Sequence, residues 1–587
     1  MSIRRLVMWL SLALAACGKP KAENTDKPAP AAAQPPGSAA RPAPAAPAVP
    51  ASSDGYDAGA LGALRFEVSG GTPEAKREFT RGLLALHSFW YDEATRRFQA
   101  AIDADSTFAM AYWGLAMSHA KLLWADDNVA AGQDALRRMP APETLPPHDQ
   151  AWVVAAVALY RAGDVRTSRK QFLDVMEQLN DKFPEDESAL FLALALLSSF
   201  QPGDPREVEI RKRAGGLAAA VFRRNPKHPG AAHYMIHAYD TPELAPLALP
   251  AAQQYAAIAP AAFHALHMPA HIFVRLGMWK EAVASCQAAW DASVAWVRRD
   301  KLSPDHQDFH SLSWLIELNF ERGRRKDAER AFAVYADAVR GGLPHDKRAA
   351  YANQVASFLA RTGEWARIDE LLAPLQAAAS DGASGDHGGG CGHGGPPGPP
   401  NALFERRAVL GTRAQAAAAR RDPATLARIL DERDAVDAEL HPFLVATQPK
   451  DFVDSADKIR GLVRRALVAR AAGDDRALVA ALKPLATDQD TEFTGEGTAG
   501  GILHHEAIAE ALVRLGQPKQ AVAEYRFVLA NHAGRARSLL GAARAAAKAG
   551  DAAASRELYQ KLVAVWSEAD EGTEGLSEAR QAVASRP

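Results

Sequence analysis

The sequence predicts an all-α protein built as a right-handed αα solenoid, and three observations carry that expectation. From residue 72 onward apolar residues recur at spacings of three and four, with no run of β-branched alternation. Gly or Pro punctuates the chain about every fifteen residues, roughly one helix with its turn. The segments "LGQPKQAVAEYRFVLA" (515–530) and "AGDAAASRELYQKLVA" (549–564) superpose with Gly516 on Gly550 and Tyr525 on Tyr559, each pair 34 residues apart. A period of that length is one helix-turn-helix unit, which buries its apolar face only by stacking on its neighbours.

The first residues read differently. Arg4 and Arg5 precede the eleven-residue apolar run "LVMWLSLALAA", and "LAAC" closes at Cys17. This is the layout of a secretory signal, and the run is shorter than the ~20 residues that span a bilayer. It resembles the bacterial lipoprotein signal, whose Leu-Ala-Ala-Cys box directs lipid onto the cysteine and cleavage just before it. The resemblance implies a signal peptide over 1–16 and a mature chain lipid-anchored at Cys17. It also implies a place in the bacterial cell envelope, facing the periplasm from the outer membrane. Residues 17–71 follow as a disordered tether, because a tract such as "KPAPAAAQPPGSAARPAPAAPAVPASS" cannot bury enough apolar surface to fold. With Cys17 lipidated, only Cys286 and Cys391 remain of the three cysteines, too few for a disulfide framework. Lys plus Arg total 68 against 70 Asp plus Glu, a net charge of −2, so no global field favours nucleic acid.

The repeats fall into two stretches, 72–379 and 401–580. In "REFTRGLLALHSFWYDEATRRFQAAI" Gly82, Ala94, Phe98 and Ala101 stand at the small, small, large and small positions of the tetratricopeptide pattern, which lets paired helices approach closely. Similar units surround Gly114, "RLGMWKEAVASCQAA" (275–289) and "ERGRRKDAERAF" (321–332). Between the two stretches, "SDGASGDHGGGCGHGGPPGPP" (380–400) is a Gly/Pro loop that no helix can include. Its His387, Cys391 and His393 are ligand types for copper, zinc or nickel. Binding there would first have to order the loop, at about 1–2 kcal/mol per residue, and a plain linker is the competing reading.

The histidines follow the repeat. His233 and His267 are 34 residues apart, as are His237 and His271. "HYMIHAYD" (233–240) and "HALHMPAH" (264–271) therefore place imidazoles at the same two positions of consecutive first helices, joined by His264. In the repeat frame Asp240, His310 and Glu317 fall on the same inward face. So does His87, in the first unit. Neighbouring helix axes about 8–10 Å apart allow imidazoles from two helices to reach one ion. One expectation is a groove site that could hold a divalent ion (zinc, copper, nickel or iron), formed by His233, His237, Asp240, His264, His267, His271, His310 and Glu317. The competing expectation is a hydrogen-bonded imidazole layer that merely orders the groove. Pro269 removes a helical hydrogen bond inside the second stretch and should kink or loosen that helix.

"LHSFWYDEA", "AMAYWGLAMS", "HYMIHAYD" and "HMPAHIFVRLGMW" resemble recurring signatures of a group of exported bacterial tetratricopeptide-repeat proteins with no established activity. The resemblance implies the fold and a shared His-lined region and supplies no reaction. Catalytic templates fail in turn: "HMPAH" and "HYMIH" lack the Glu of zincin proteases, and no nucleophile elbow, P-loop or dinucleotide fingerprint occurs. "HHE" at 504–506 reads as a polar first turn. The sequence thus points to a lipid-anchored periplasmic scaffold binding a protein or peptide partner in its concave groove, with a metal-binding protein or metal-dependent hydrolase as the alternative. Replacing Cys17 by Ser should abolish acyl labelling and release or strand the precursor. A Cys17→Ser protein still fully membrane-associated in fractionation would overturn the anchor.

Overall fold

Helices follow one another along the whole described chain, and each packs mainly on its sequence neighbours. In the computed structural model the described residues are 58–124, 127–161, 164–200, 204–380, 400–448, 450–492 and 503–584. The signal, Cys17, most of the tether, and His387, Cys391 and His393 lie outside them. The helices are α1 (Pro73–His87), α2 (Tyr91–Ala104), α3 (Ala109–Ser118), α4 (Val129–Arg138), α5 (Pro147–Arg161), α6 (Val165–Lys182), α7 (Asp186–Ser199), α8 (Glu207–Arg224), α9 (Pro229–Tyr239) and α10 (Ala245–Ile258). They continue as α11 (Phe263–His267), α12 (Pro269–Arg275), α13 (Trp279–Asp300), α14 (Phe309–Glu321), α15 (Arg325–Arg340), α16 (His345–Thr362) and α17 (Ile368–Ser380). Beyond the Gly/Pro segment come α18 (Asn401–Ala419), α19 (Pro423–Thr447), α20 (Lys450–Ala472), α21 (Asp475–Glu492), α22 (His504–Arg514), α23 (Pro518–Asn531), α24 (Ala536–Lys548), α25 (Ala552–Val565) and α26 (Leu576–Ala584). No strand occurs among the described residues, and none of their helices is long and apolar enough to cross a membrane.

The stacking depends on glycines that seat aromatic rings. Phe98 is fully buried between α1 and α3, where a Cβ on Gly82 or Gly114 would lie 2.8 Å and 2.2 Å from its ring. Gly132 receives Tyr160, Gly215 receives Tyr239 and Gly541 receives Tyr525 in the same way. The small and large positions expected from the repeat are therefore a close-packing device: helices approach until the ring fills the space that a methyl group would occupy.

Two long-range contacts bend the solenoid back on itself. At the N-terminal end, α1 packs against α9. The expected tether also ends earlier than residue 71. Residues 60–69 cross the surface as an ordered strap, with Ala63 N–H donating to the Lys227 carbonyl at 3.0 Å and Ala261 N–H to the Ala60 carbonyl at 3.1 Å. Ser69 N–H and hydroxyl both donate to Asp149. The reason is composition: Leu61 is buried and Phe66 stacks among Phe79, Trp113 and Trp152, apolar payload that the preceding Pro/Ala tract lacks. At the other end, Glu321 accepts from the Ala536 N–H at 2.7 Å and pairs with Arg361 at 2.8 Å, while the Trp566 indole donates to the Glu321 carbonyl. The last repeats thereby dock on α14.

Adjacent glycines in α8 test this packing. Gly215 faces the Tyr239 ring at 2.3 Å from a notional Cβ, whereas nothing lies within 4 Å of one on Gly216. Gly215→Ala should cost about 1–3 kcal/mol through overpacking, and Gly216→Ala should gain up to about 1 kcal/mol from helix propensity. Midpoints of urea unfolding should move in opposite directions.

Candidate metal centre

Six histidines converge from four helices. His233 and His237 stand one turn apart on α9, His264 and His267 on α11, His271 on α12 and His310 on α14. At Pro269, where a kink or loosening is expected, the helix is interrupted: α11 ends at His267 and α12 begins at Pro269, so His271 belongs to a separate helical turn. The six rings form two triads, His233/His237/His264 and His267/His271/His310, each with its three ligand nitrogens within 4.8 Å of one another.

The outer hydrogen bonds fix which nitrogens carry protons. In the second triad, His271 Nδ1 donates to the Asp240 carboxylate at 3.0 Å, and Asp240 is held in turn by Arg275 at 2.8 Å. His267 Nδ1 lies 2.9 Å from the Ser311 hydroxyl. That hydroxyl is itself committed as donor to Asp308, so it accepts from His267. With both Nδ1 atoms protonated, the Nε2 atoms of His267 and His271 are lone pairs whenever the two rings are uncharged, and they face each other at 3.0 Å. His310 Nε2 closes the triad 3.1 Å from His267 Nε2. Two opposed lone pairs at that distance repel unless a cation lies between them, a shared proton or a metal ion. Nitrogens bound tetrahedrally at about 2.0–2.1 Å would be about 3.3 Å apart, close to the separations present here.

The first triad is held by the fold itself. His233 Nδ1 donates to the backbone carbonyl of His87 at 2.6 Å, which turns its Nε2 toward His237 Nε2 at 3.0 Å. His264 Nε2 is buried without a hydrogen-bond partner. Phe89 caps this triad, edge-on to His233 at 4.3 Å and stacked on His237 and His264 at 5.5 Å and 5.7 Å between centroids. Its φ of 52° is the left-handed conformation that a bulky residue rarely adopts. Backbone strain of this kind concentrates at functional sites. Trp314 walls the second triad, 4.8 Å from His271 and 5.1 Å from His267.

Three expectations change at this point. The histidines do not line an open groove: His233, His237, His267 and His271 are 0–5% exposed, the first two under Phe89 and the last two against Trp314, while His264 and His310 are half-buried. Asp240 is the hydrogen-bond partner of a candidate ligand rather than a ligand. Glu317 completes neither triad, since its carboxylate accepts from Gln354 and Ser357 and pairs with Arg361. Sequence reasoning missed Phe89, Ser311 and Asp308. It also placed His87 on the inner face, whereas His87 is fully buried with Glu187 and His228. The Glu187 carboxylate accepts from His87 Nε2 at 2.7 Å and from His228 Nε2 at 2.9 Å, and Tyr234 meets His87 Nδ1 at 2.9 Å. This third cluster fixes the residue whose carbonyl holds His233. The 100-residue separation of His87 and Glu187 left no local signal for it.

No protein-family model matches the chain, and no curated protein sequence matches it. Solved helical-repeat structures are similar at low scores. A tetratricopeptide repeat protein from Parabacteroides merdae is 11% identical with a TM-score of 0.27, over 55% of this chain and 99% of that one. A chain of the APC/C Cut9–Hcn1 hetero-tetramer is 9% identical with a TM-score of 0.30, over 74% and 83%. The TPR domain of P58(IPK) is 15% identical with a TM-score of 0.20, over 68% and 98%. The architecture of this chain therefore rests on its own helix packing, and no function is taken from these proteins.

Burial sets the protonation of the site. It pushes His233 down to about 3, and it holds His264 and His267 well below their ordinary range, with neighbouring imidazoles adding to the effect. The unfolded chain takes up these protons near pH 6.5 and the folded chain only at lower pH. Their contribution to stability is thus complete above about 6.5 and shrinks as pH falls from there toward 3, by up to about 1.4 kcal/mol per pH unit for each group. The melting temperature of metal-free protein should drop steadily from pH 7 to pH 4.5. A flat profile in differential scanning calorimetry would contradict the burial of neutral imidazoles.

Proposed function

We propose that this protein is a cation-binding scaffold of the bacterial cell envelope, anchored through Cys17, whose helical repeats exist to hold the two imidazole triads. The single observation that carries the reading is the pair of opposed Nε2 lone pairs of His267 and His271 at 3.0 Å, with both Nδ1 protons committed elsewhere. His267, His271 and His310 would hold one ion, and His233, His237 and His264 a second. Asp240 and the Ser311–Asp308 pair would orient the ligand rings, as the outer partners of metal-bound histidines do. A bound divalent ion supplies Lewis acidity, polarising whatever oxygen or nitrogen enters the remaining coordination position.

A scaffold that binds a protein or peptide partner in its concave groove is the second reading, supported by the helical-repeat fold alone. The hydrolase form of the metal reading needs a general base beside the ion. Here the nearby carboxylates, Asp240 and Asp308, are bonded to His271 and Ser311. The supported reading is binding.

The test is elemental analysis of untagged protein, followed by melting in chelator and in added zinc, copper, nickel or iron. Wild type at a hundredfold excess over the dissociation constant should gain about 2.7 kcal/mol by mass action. The double variant His237→Ala/His271→Ala should gain little. A wild type that carries no metal and is stabilised by none of these ions would return the site to a packed imidazole layer.

A further inference from the structure

We infer that the two triads are built for cuprous copper, one ion in each. This rests on the cation-binding reading above and goes beyond it by selecting the ion from charge and ligand type.

Both sites are adjacent and uncharged. The donors in each triad are three imidazoles, with no carboxylate or thiolate among them. His264 and His267, one from each triad, lie on the same short helix with ring centroids 6.3 Å apart. Asp240 reaches the second triad only through His271 and is paired with Arg275. Asp308 bonds the Ser311 hydroxyl that in turn meets His267 Nδ1. Two ions bound here therefore face each other without anionic ligands to screen them. Coulomb repulsion scales with the product of the charges, so two divalent ions repel four times as strongly as two monovalent ones at the same distance. The cost of removing each ion from water also rises with the square of its charge, and this site is walled by Phe89 and Trp314.

Coordination number points the same way. Zinc completes four positions, commonly with water. The first triad offers three nitrogens under the cap of Phe89, with His233 fully buried. Cuprous copper is satisfied by two or three donors, and among the ions suited to imidazole it is the one that is monovalent. The buried thiol of Cys286 lies 3.7 Å from His267 Nδ1, on the side of that ring away from its Nε2, so the sulfur donor that favours cuprous copper most strongly is outside the triad and the assignment rests on charge and coordination number.

The test is an anaerobic titration of the full-length chain with cuprous ion against bathocuproine disulfonate, beside a zinc titration against a chromophoric chelator, each with and without azide. Because His387, Cys391 and His393 add donors elsewhere in the chain, the readout is the difference between proteins. His233→Ala/His237→Ala and His267→Ala/His271→Ala should each lower the number of cuprous ions bound by one, and the two triads should differ in affinity by less than about tenfold. Zinc should fill one triad, with the second at least a hundredfold weaker and strengthened by azide as a bridging anion. Circular dichroism identifies any variant that fails to fold, for which His233→Gln/His237→Gln and His267→Gln/His271→Gln are the milder substitutes. Two zinc ions bound equally tightly without an anion, or no loss of cuprous ion from either variant while zinc is lost, would overturn the copper assignment and leave cation binding standing; no loss of either ion from either variant overturns both. Wild type that binds neither ion overturns both.

Discussion

The hydrogen bond from His233 Nδ1–H to the carbonyl of His87, 2.6 Å long across 146 residues, joins the architecture to the chemistry. It exists only because α1 packs on α9, bending the solenoid until its first and later repeats meet. It also decides the tautomer of His233 and hence the direction of that ring's lone pair. The same turn that places the His87 carbonyl presents Phe89 in its left-handed conformation over three imidazoles. Behind it, Glu187 holds His87 and His228 in a buried network. Loosening α1 from α9 would thus remove the cap, free the ring of His233 and open the first triad to water together.

The second triad depends on a different part of the chain. Arg275 fixes Asp240, Asp240 fixes His271, and Ser311 fixes His267, so three helices set two rings. Burial alone would raise the Asp240 carboxyl. The Arg275 charge and the bond from His271 hold it below its ordinary value, which keeps it an acceptor. Farther along α14, Glu321 ties the last repeats onto the helix that carries His310. The C-terminal repeats therefore contribute to the site by bracing a helix, and their described residues add no ligand to either triad.

Much of the site was legible because repeats make position readable. The 34-residue offsets between His233 and His267, and between His237 and His271, placed these rings in register before any coordinates, and His264 and His310 followed from the same frame. Glu317 shows where the frame stops. It predicts which face a residue occupies but not its partner, and Arg361, on a helix two elements later, takes the carboxylate. Burial was illegible for a related reason. The repeat pattern describes an open inner face, whereas closure of α1 on α9 is a contact between distant units with no periodic signature. "LHSFWYDEA" stood out as a signature, yet the strained φ of Phe89 gives no signal in composition or spacing. The ordered strap at 60–69 could have been read from "LGALRF", where Leu61 and Phe66 interrupt the Pro/Ala composition.

A packed imidazole layer is the serious rival to a metal centre, and counting protons separates them. In a layer each buried acceptor needs a donor, because an orphaned polar atom costs about as much as a lost hydrogen bond. In the second triad the Nδ1 protons of His267 and His271 are used outward, leaving His310 as the one ring whose Nε2 can bring a proton to the centre. One donor then faces two acceptors. His264 adds another buried Nε2 without a partner. Packing alone would favour a glutamine or a leucine at such positions, since neither leaves opposed lone pairs in a dry site. The arrangement becomes consistent when the missing partner is a cation: a shared proton satisfies the one opposed pair of His267 and His271, and a metal ion accepts the nitrogens of all three rings at once.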